Sequence, residues 1–275
     1  MYTMYEGILY TTEDFHKFDQ VHFIPTLHQK DVINPQVAIV DITSSPLDYI
    51  QQAMYYQNPI SRRSSHIIIG EGKDEVVQCV NGSIMATTFR EYATYAQFDD
   101  IQNKSFNIQV CNRGELYKTQ DGFVDSFGIV VEDKTIFEYN GKYYSSLTTH
   151  QIETLTILLD QLVKDLELYD VVAFHEVSQR EFVPVLNDNV MDAIYPRTWE
   201  NSRRERSFTI SDSSVVYKKI DNDFVTDPLG YVAETGDQVI VLERNGIFWH
   251  CMENLSKVTY WMPNKNLTCG SKMKV

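Results

Sequence analysis

With 275 residues, 43% of them hydrophobic and 23% charged, the chain is long enough for one large domain or two smaller ones and has the composition of a folded globular protein. Its 38 acidic and 24 basic side chains give a net charge of −14, which argues against nucleic acid as the main partner, because neutralising phosphates needs a basic face. No run approaches the roughly 18–20 apolar residues of a membrane span. No secretory signal opens the chain, and Cys79, Cys111, Cys251 and Cys269 form no CxxC pair. These features predict a protein made in the cytoplasm, without a disulfide framework or a zinc knuckle.

Residues 1–35 read as an irregular N-terminal extension or docking arm, with Phe15, Phe18 and Phe23 and three histidines, His16, His22 and His28, at no ligand spacing. Val37–Val40 is a short apolar run of the kind that forms a buried central strand, and it ends at Asp41. Leu47–Tyr56 has apolar residues at helical spacing and stops at Asn58-Pro59. Ser65–Ile69 and Glu75–Val80, joined across Gly70–Asp74, predict a β-hairpin, and Ser105–Cys111 alternates as a further strand. From Thr149 to Leu168 the residues Ile152, Leu155, Leu158, Leu159, Leu162, Val163 and Leu166 make one helical stripe, N-capped by Thr148 or Thr149. Tyr169–Phe174 returns to a strand. This order predicts an α/β domain with a mixed central sheet over residues 36–190.

A linker follows over 191–206, announced by Asn187-Asp188-Asn189 and Tyr195-Pro196 and closing in Arg203–Arg206. From 207 to 275 short runs such as Val215–Tyr217, Gly230–Ala233 and Asp237–Leu242 alternate with glycine turns, which predicts a small all-β barrel.

Several of these segments carry a resemblance. Ser65–Ile69 with Val76–Gln78, Asn103–Ile108, Thr149-His150-Gln151 and Ala173–Ser178 resemble, in order, the hairpin, strand, helix start and strand end of type 2 N-acetylmuramoyl-L-alanine amidases. That family includes phage endolysins and peptidoglycan-recognition proteins. The resemblance implies flanking helices around the mixed sheet and a zinc ion with three protein ligands and one open position, which brings the pKa of bound water to about 7. The positions matching the three ligands hold Asp41, Phe174 and Phe182. Asp41 can coordinate a metal; the two phenylalanines cannot, and they would fill a zinc pocket with apolar volume. The assisting Tyr or Glu of the family maps near Ser65 and its basic helper near Arg180, a side chain that cannot act as a base. The expectation is a pseudoenzyme with no catalytic residues and no cofactor. The alternative is an active zinc amidase with a shifted site made of Asp41, His175 and Asp188 or Glu181, although alternation along a strand turns His175 away from the face of Phe174. His66 matches a scaffold position and is expected to be packed and hydrogen-bonded.

In the C-terminal region, Val215–Lys218, Leu229–Val232 with Gly236–Val239, Asn245–Cys251 and Tyr260–Leu267 resemble a bacterial SH3-like domain, with Tyr260 where the pattern has glycine. Such domains bind cell-wall peptides or proteins in an aromatic groove. Trp249, Trp261 and Tyr217 are the candidates here, a tryptophan in so small a barrel being core as often as ligand surface. Amidase-like plus SH3-like is the layout of many phage lytic enzymes. With the zinc ligands replaced, the expectation is a non-catalytic virion component of a tail, baseplate or fibre. Its partners would be other virion or structural proteins, with peptidoglycan as a further ligand.

Overall fold

Glu6 and Gly7, both at positive φ (48° and 77°), close a tight turn of the primed kind that suits right-twisted strands. The turn joins β1 (Tyr2–Tyr5) to β2 (Ile8–Asp14), which pairs onward with β3 (Lys17–Gln20). Next come β4 (His22–Phe23) and β5 (Gln29–Val32). The computed structural model describes all residues except 1, 15–16, 88–92, 96–97, 99–100, 133–135, 179–181, 197–206, 221–222, 229 and 270–275. Tyr2, Met4 and Leu9 are buried. The Asp165 carboxylate accepts the Met4 backbone N–H at 2.6 Å, and the Gln78 amide accepts from Leu9 N–H at 2.9 Å while donating to Gly7 O at 2.7 Å. The expected irregular arm is therefore an integral part of the fold; Phe15 and His16 lie outside the described residues.

Further along are β6 (Val37–Ile42), helix α1 (Tyr49–Tyr56), β7 (Ile67–Ile69), β8 (Val76–Gln78), β9 (Ile84–Ala86) and β10 (Ser105–Val110). After five short strands, β11 (Glu115–Thr119), β12 (Gly122–Val124), β13 (Val130–Val131), β14 (Ile136–Tyr139) and β15 (Lys142–Ser145), come α2 (Thr149–Asp165), β16 (Asp170–Ala173) and α3 (Asp188–Ile194). The central sheet has the order β16-β6-β10-β7-β8-β4 and is mixed. Strands β16, β6, β10 and β7 run parallel, and β8 is antiparallel to β7.

Every residue of β6, β7, β8, β10 and β16 is buried, as in parallel sheets covered on both faces. The alternation of Ser105–Cys111 thus marks no solvent face: Ser105, Asn107 and Gln109 are as enclosed as their apolar neighbours. Leu155, Leu158, Leu159 and Leu162 of α2 are fully buried, and Thr148 closes a capping box with Gln151. Helix α3 occupies part of the expected linker, capped by Asn187; residues 197–206 lie outside the described residues.

Asn107 is fully buried, and neither polar atom of its side chain has a hydrogen-bond partner. A buried unsatisfied amide costs about 1–3 kcal/mol, which offsets the cavity left by truncation. Asn107→Ala is accordingly expected to change stability by less than about 1 kcal/mol in urea unfolding, well under the usual cost of truncating a core residue.

Contacts divide the chain into two units: residues 1–90, 102–173 and 183–196, and residues 91–101, 174–182 and 197–275. In the second unit β17 (Ser207–Ile210), β18 (Ser214–Val215), β19 (Tyr217–Ile220), β20 (Asp223–Thr226), β21 (Val232–Ala233), β22 (Gln238–Asn245), β23 (Phe248–Glu253), β24 (Thr259–Pro263) and β25 (Leu267–Cys269) follow one another. Seven form one antiparallel sheet in the order β20-β19-β24-β23-β22-β17-β25, and β18 pairs with β21. Two segments from the expected α/β region complete this unit. Tyr95 packs edge-on against Trp249 and Phe208, and the Asn264 side chain donates to Thr94 O at 2.8 Å. The Trp249 indole N–H donates to Glu176 O at 2.8 Å.

Candidate functional site

The parallel register of β6 and β10 sets Asp41 beside Gln109 near the carboxyl ends of both strands. In open α/β sheets, ligand sites form outside those ends. Asp41 is 6% exposed and Gln109 3%, so both polar groups sit in a low-dielectric setting where hydrogen bonds weigh heavily. The third member comes from α1, which starts at a capping box of Asp48 and Gln51 and ends at the buried Tyr56. The Tyr56 hydroxyl donates to Gln109 Oε1, which fixes the orientation of that amide and leaves its Nε2 hydrogens for another acceptor. The end of the helix is held in turn by Thr26, whose hydroxyl donates to Tyr56 O at 2.7 Å.

Burial pushes the Tyr56 phenol well above its ordinary range, and the Asp41 charge adds to this, while a Gln52 hydrogen bond and the Arg63 charge oppose it. The phenol therefore stays protonated and remains a donor at any physiological pH. Gln52, one turn before Tyr56, is also buried, and its Oε1 has no hydrogen-bond partner. The result is a carboxylate acceptor next to an oriented amide donor, a pair that matches the N–H and C=O of a peptide-type amide.

The remaining expected residues fall elsewhere. Phe174, His175 and Glu176 form a buried 3-10 turn assigned to the second unit, so strand alternation does not govern where His175 points. Phe182 is 45% exposed with its ring edge-on to His175 at 4.8 Å; it is a surface residue and not the apolar plug expected from the sequence. Asp188 is the exposed first residue of α3. Among the described residues no group of three or more His, Cys, Asp or Glu side chains is placed to hold a metal ion. Arg180 and Glu181 lie outside the described residues.

Ser65 is buried and donates to Asn107 O at 2.8 Å, a structural role. His66 is packed and hydrogen-bonded as expected, with Nε2 2.9 Å from Ile84 O and Nδ1 accepting from Asn107 N–H at 2.9 Å. Of the three groove candidates, Trp249 is fully buried and Trp261 is 7% exposed, its ring stacked on His250 at 5.0 Å, so both belong to the core. Tyr217 is half-buried against Phe248. Sequence reasoning missed Tyr56 and Gln109; the one signal for Gln109 was its place as the last polar residue of an alternating strand, after Ser105 and Asn107.

No protein-family model matches the chain, and no curated protein matches it. Among solved structures it is similar to a crystal structure of AmpD, with a TM-score of 0.45 and 14% identity, over 70% of this chain and 98% of that one. It is also similar to the N-acetylmuramyl-L-alanine amidase AmiD from E. coli in complex with an anhydro-N-acetylmuramic acid tripeptide substrate, with a TM-score of 0.44 and 17% identity, over 74% of this chain and 69% of that one. A third is the catalytic domain of XlyA, with a TM-score of 0.42 and 16% identity, over 62% of this chain and 95% of that one. The solved structures it is similar to are N-acetylmuramoyl-L-alanine amidases, which corrects the expectation of a non-catalytic tail, baseplate or fibre subunit; virion partners find no support.

Proposed function

We propose that this chain acts on bacterial peptidoglycan as an amidase-type protein, with the amide between the muramoyl lactyl group and L-alanine as its target. The observation that carries this reading is the Asp41–Gln109 pair, aligned by the parallel register and oriented by Tyr56. The reading is also supported by the sequence segments that resemble type 2 amidases, which fall on β7, β8, β10 and α2 of the first unit, the last of them running from the final residue of β16 into the 3-10 turn at 174–176. AmiD, among the similar structures, is in complex with a muramoyl peptide.

In this site Asp41 accepts a proton from a water molecule as the water oxygen attacks the amide carbonyl carbon. The Gln109 Nε2–H donates to the carbonyl oxygen, where negative charge develops. The C–N bond then breaks, and the proton held by Asp41 passes to the departing amine, giving a lactyl carboxylate and a free L-alanyl peptide. Type 2 amidases use a zinc ion for this chemistry, held by three protein ligands. Asp41 offers one donor and the described residues offer no group of three, so they do not fit a zinc held in that way. The second unit is read as an SH3-like module that holds the cell wall. Support comes from the SH3-like sequence segments, which fall on β19, β22, β23 and β24.

Release of L-alanyl peptides from muramoyl peptides, followed by mass spectrometry, tests the reading. Asp41→Ala is expected to lower the rate by about 10²–10⁴-fold, the usual worth of a positioned base. Tyr56→Phe leaves Gln109 unoriented and is expected to lower kcat by about tenfold or more with little change in KM, because the donor acts on the developing charge. Wild-type rates in both variants would remove these residues from the reaction.

A further inference from the structure

The five-stranded sheet β13-β12-β11-β15-β14 starts just after the end of β10, the strand that carries Gln109. Its root is fixed by Asn112, which is buried. The Asn112 side chain donates to Ser145 O at 3.1 Å and to Ser146 O at 3.2 Å, and accepts from Gly114 N–H at 2.8 Å. Asn112 O accepts Ser45 N–H at 3.0 Å, which ties the same root to the segment that follows β6. The sheet is therefore anchored at the carboxyl ends of β6 and β10, the edge that holds the Asp41–Gln109 pair.

Its two faces differ. On one, Leu116 is buried, Phe123 and Tyr143 meet edge-on at 4.8 Å, and Lys118 Nζ lies 6.0 Å from both ring centroids, so the chain closes that face with its own side chains. On the other, the register sets Val124 between Val130 and Tyr117, and Tyr144 between Glu115 and Phe137. Strand alternation puts Tyr117 on the side of Glu115, and Tyr139 on the side of Phe137. Val130 is 67% exposed, Tyr117 52% and Tyr139 41%, while the Phe137 and Tyr144 rings stack at 5.8 Å. A contiguous exposed apolar surface of this kind marks a binding site.

Charge selects the occupant. The five strands place two charged side chains on this face, Glu115 and Lys142, and these pair with each other at 3.1 Å. The face is thus neutral on a chain whose net charge is −14, and its complement is an uncharged ligand. Aromatic ring faces attract polarised C–H groups, while the tyrosine hydroxyls and the Glu115–Lys142 pair offer hydrogen bonds beside them. A pyranose has the matching pattern, with C–H groups on its flat faces and hydroxyl and acetamido groups round its edge. Strands β11 and β14 lie two spacings apart, about 10 Å, so a ligand that covers Tyr117 and Tyr139 is longer than one sugar ring. In intact peptidoglycan the muramoyl lactyl carboxyl is tied up as an amide, which leaves the glycan without charge. We propose that the face bearing Tyr117 and Tyr139 binds an uncharged, N-acetylated amino-sugar chain, the glycan of peptidoglycan. The choice of polymer rests on the amidase-type reading above, which this site extends from the amide to the sugars beside it.

The probe is a β-1,4-linked N-acetylglucosamine hexamer, which is uncharged and contains no muramoyl amide. It is titrated into the whole chain by isothermal titration calorimetry, and the expected result is saturable binding. Tyr117→Ala combined with Tyr139→Ala is expected to weaken it by about tenfold or more. Tyr117→Phe combined with Tyr139→Phe keeps both rings and is expected to retain most of it. Both positions are exposed, so each pair of substitutions is expected to leave the melting temperature unchanged. Because the hexamer has no scissile amide, a failed peptidoglycan digestion would remove the amidase reading and leave this result standing. Three results overturn the inference. One is no saturable heat, and another is equal binding by the double alanine variant. The third is a dimer in light scattering that the double alanine variant turns into a monomer, which would assign the face to a second copy of the chain.

Discussion

Replacing Trp249 with alanine is expected to destabilise the second unit by about 3–5 kcal/mol, the usual range for truncating a buried tryptophan. Trp249 is fully buried, and the rings of Tyr95 and Phe208 meet it edge-on at 5.5 Å each. Its indole N–H donates to Glu176 O, and the Arg244 guanidinium lies 4.7 Å from its ring centroid. Alanine removes the aromatic contacts and leaves the Glu176 carbonyl without its donor, two losses that add to the cavity. The same contacts predict that residues 207–275 expressed alone will not fold cooperatively, because Tyr95 and Glu176 come from segments 91–101 and 174–182. Urea unfolding followed by tryptophan fluorescence measures both effects. A sharp transition in the isolated fragment would show that the two threaded segments are dispensable.

Acidification from about pH 6.5 to about pH 4 is expected to cost up to about 3 kcal/mol through His66 alone, at about 1.4 kcal/mol per unit of its depressed pKa. Burial lowers this imidazole to about 4, against the opposing backbone hydrogen bond to Ile84. Both ring nitrogens are engaged, Nδ1 as acceptor for Asn107 N–H and Nε2 opposite Ile84 O, and the ring stacks on Phe106 at 4.4 Å. Protonating Nδ1 would turn an acceptor towards a donor. The folded pKa lies below the unfolded one, so this contribution is fully present above about pH 6.5, is lost as pH falls, and levels off once the folded state also protonates. Urea unfolding at a series of pH values measures the slope, and His66→Gln is expected to flatten it within this window. An imidazole titrating near 6.5 by NMR would contradict the assignment.

The helix α2 was legible because its leucines keep a strict helical period and Thr148–Gln151 form a capping box. The strand β6 was legible as an apolar run ending in a carboxylate. Strands β1–β5 were not, because they are short and anchored by distant groups such as Gln78 and Asp165. The sheet β13-β12-β11-β15-β14 was missed although Asn140-Gly141, at φ 50° and 76°, is a hairpin signal between alternating aromatics. At 174–176 the apolar pattern ran on past the end of β16 into a 3-10 turn, which upset the face assigned to His175. Asp41 was visible because it matches a zinc-ligand position in the resemblance to type 2 amidases. Tyr56 reads in sequence as one more apolar helix position, and only the fold brings its hydroxyl to Gln109.

The most direct measurement is mass spectrometry of purified peptidoglycan incubated with the whole chain and, in parallel, with Asp41→Ala. Peptides with a free L-alanine amino terminus, accumulating with time in the first sample and absent from the second, are the predicted result. An unchanged peptidoglycan in both samples, with the chain folded throughout, would contradict an amidase-type activity at the Asp41–Gln109 pair.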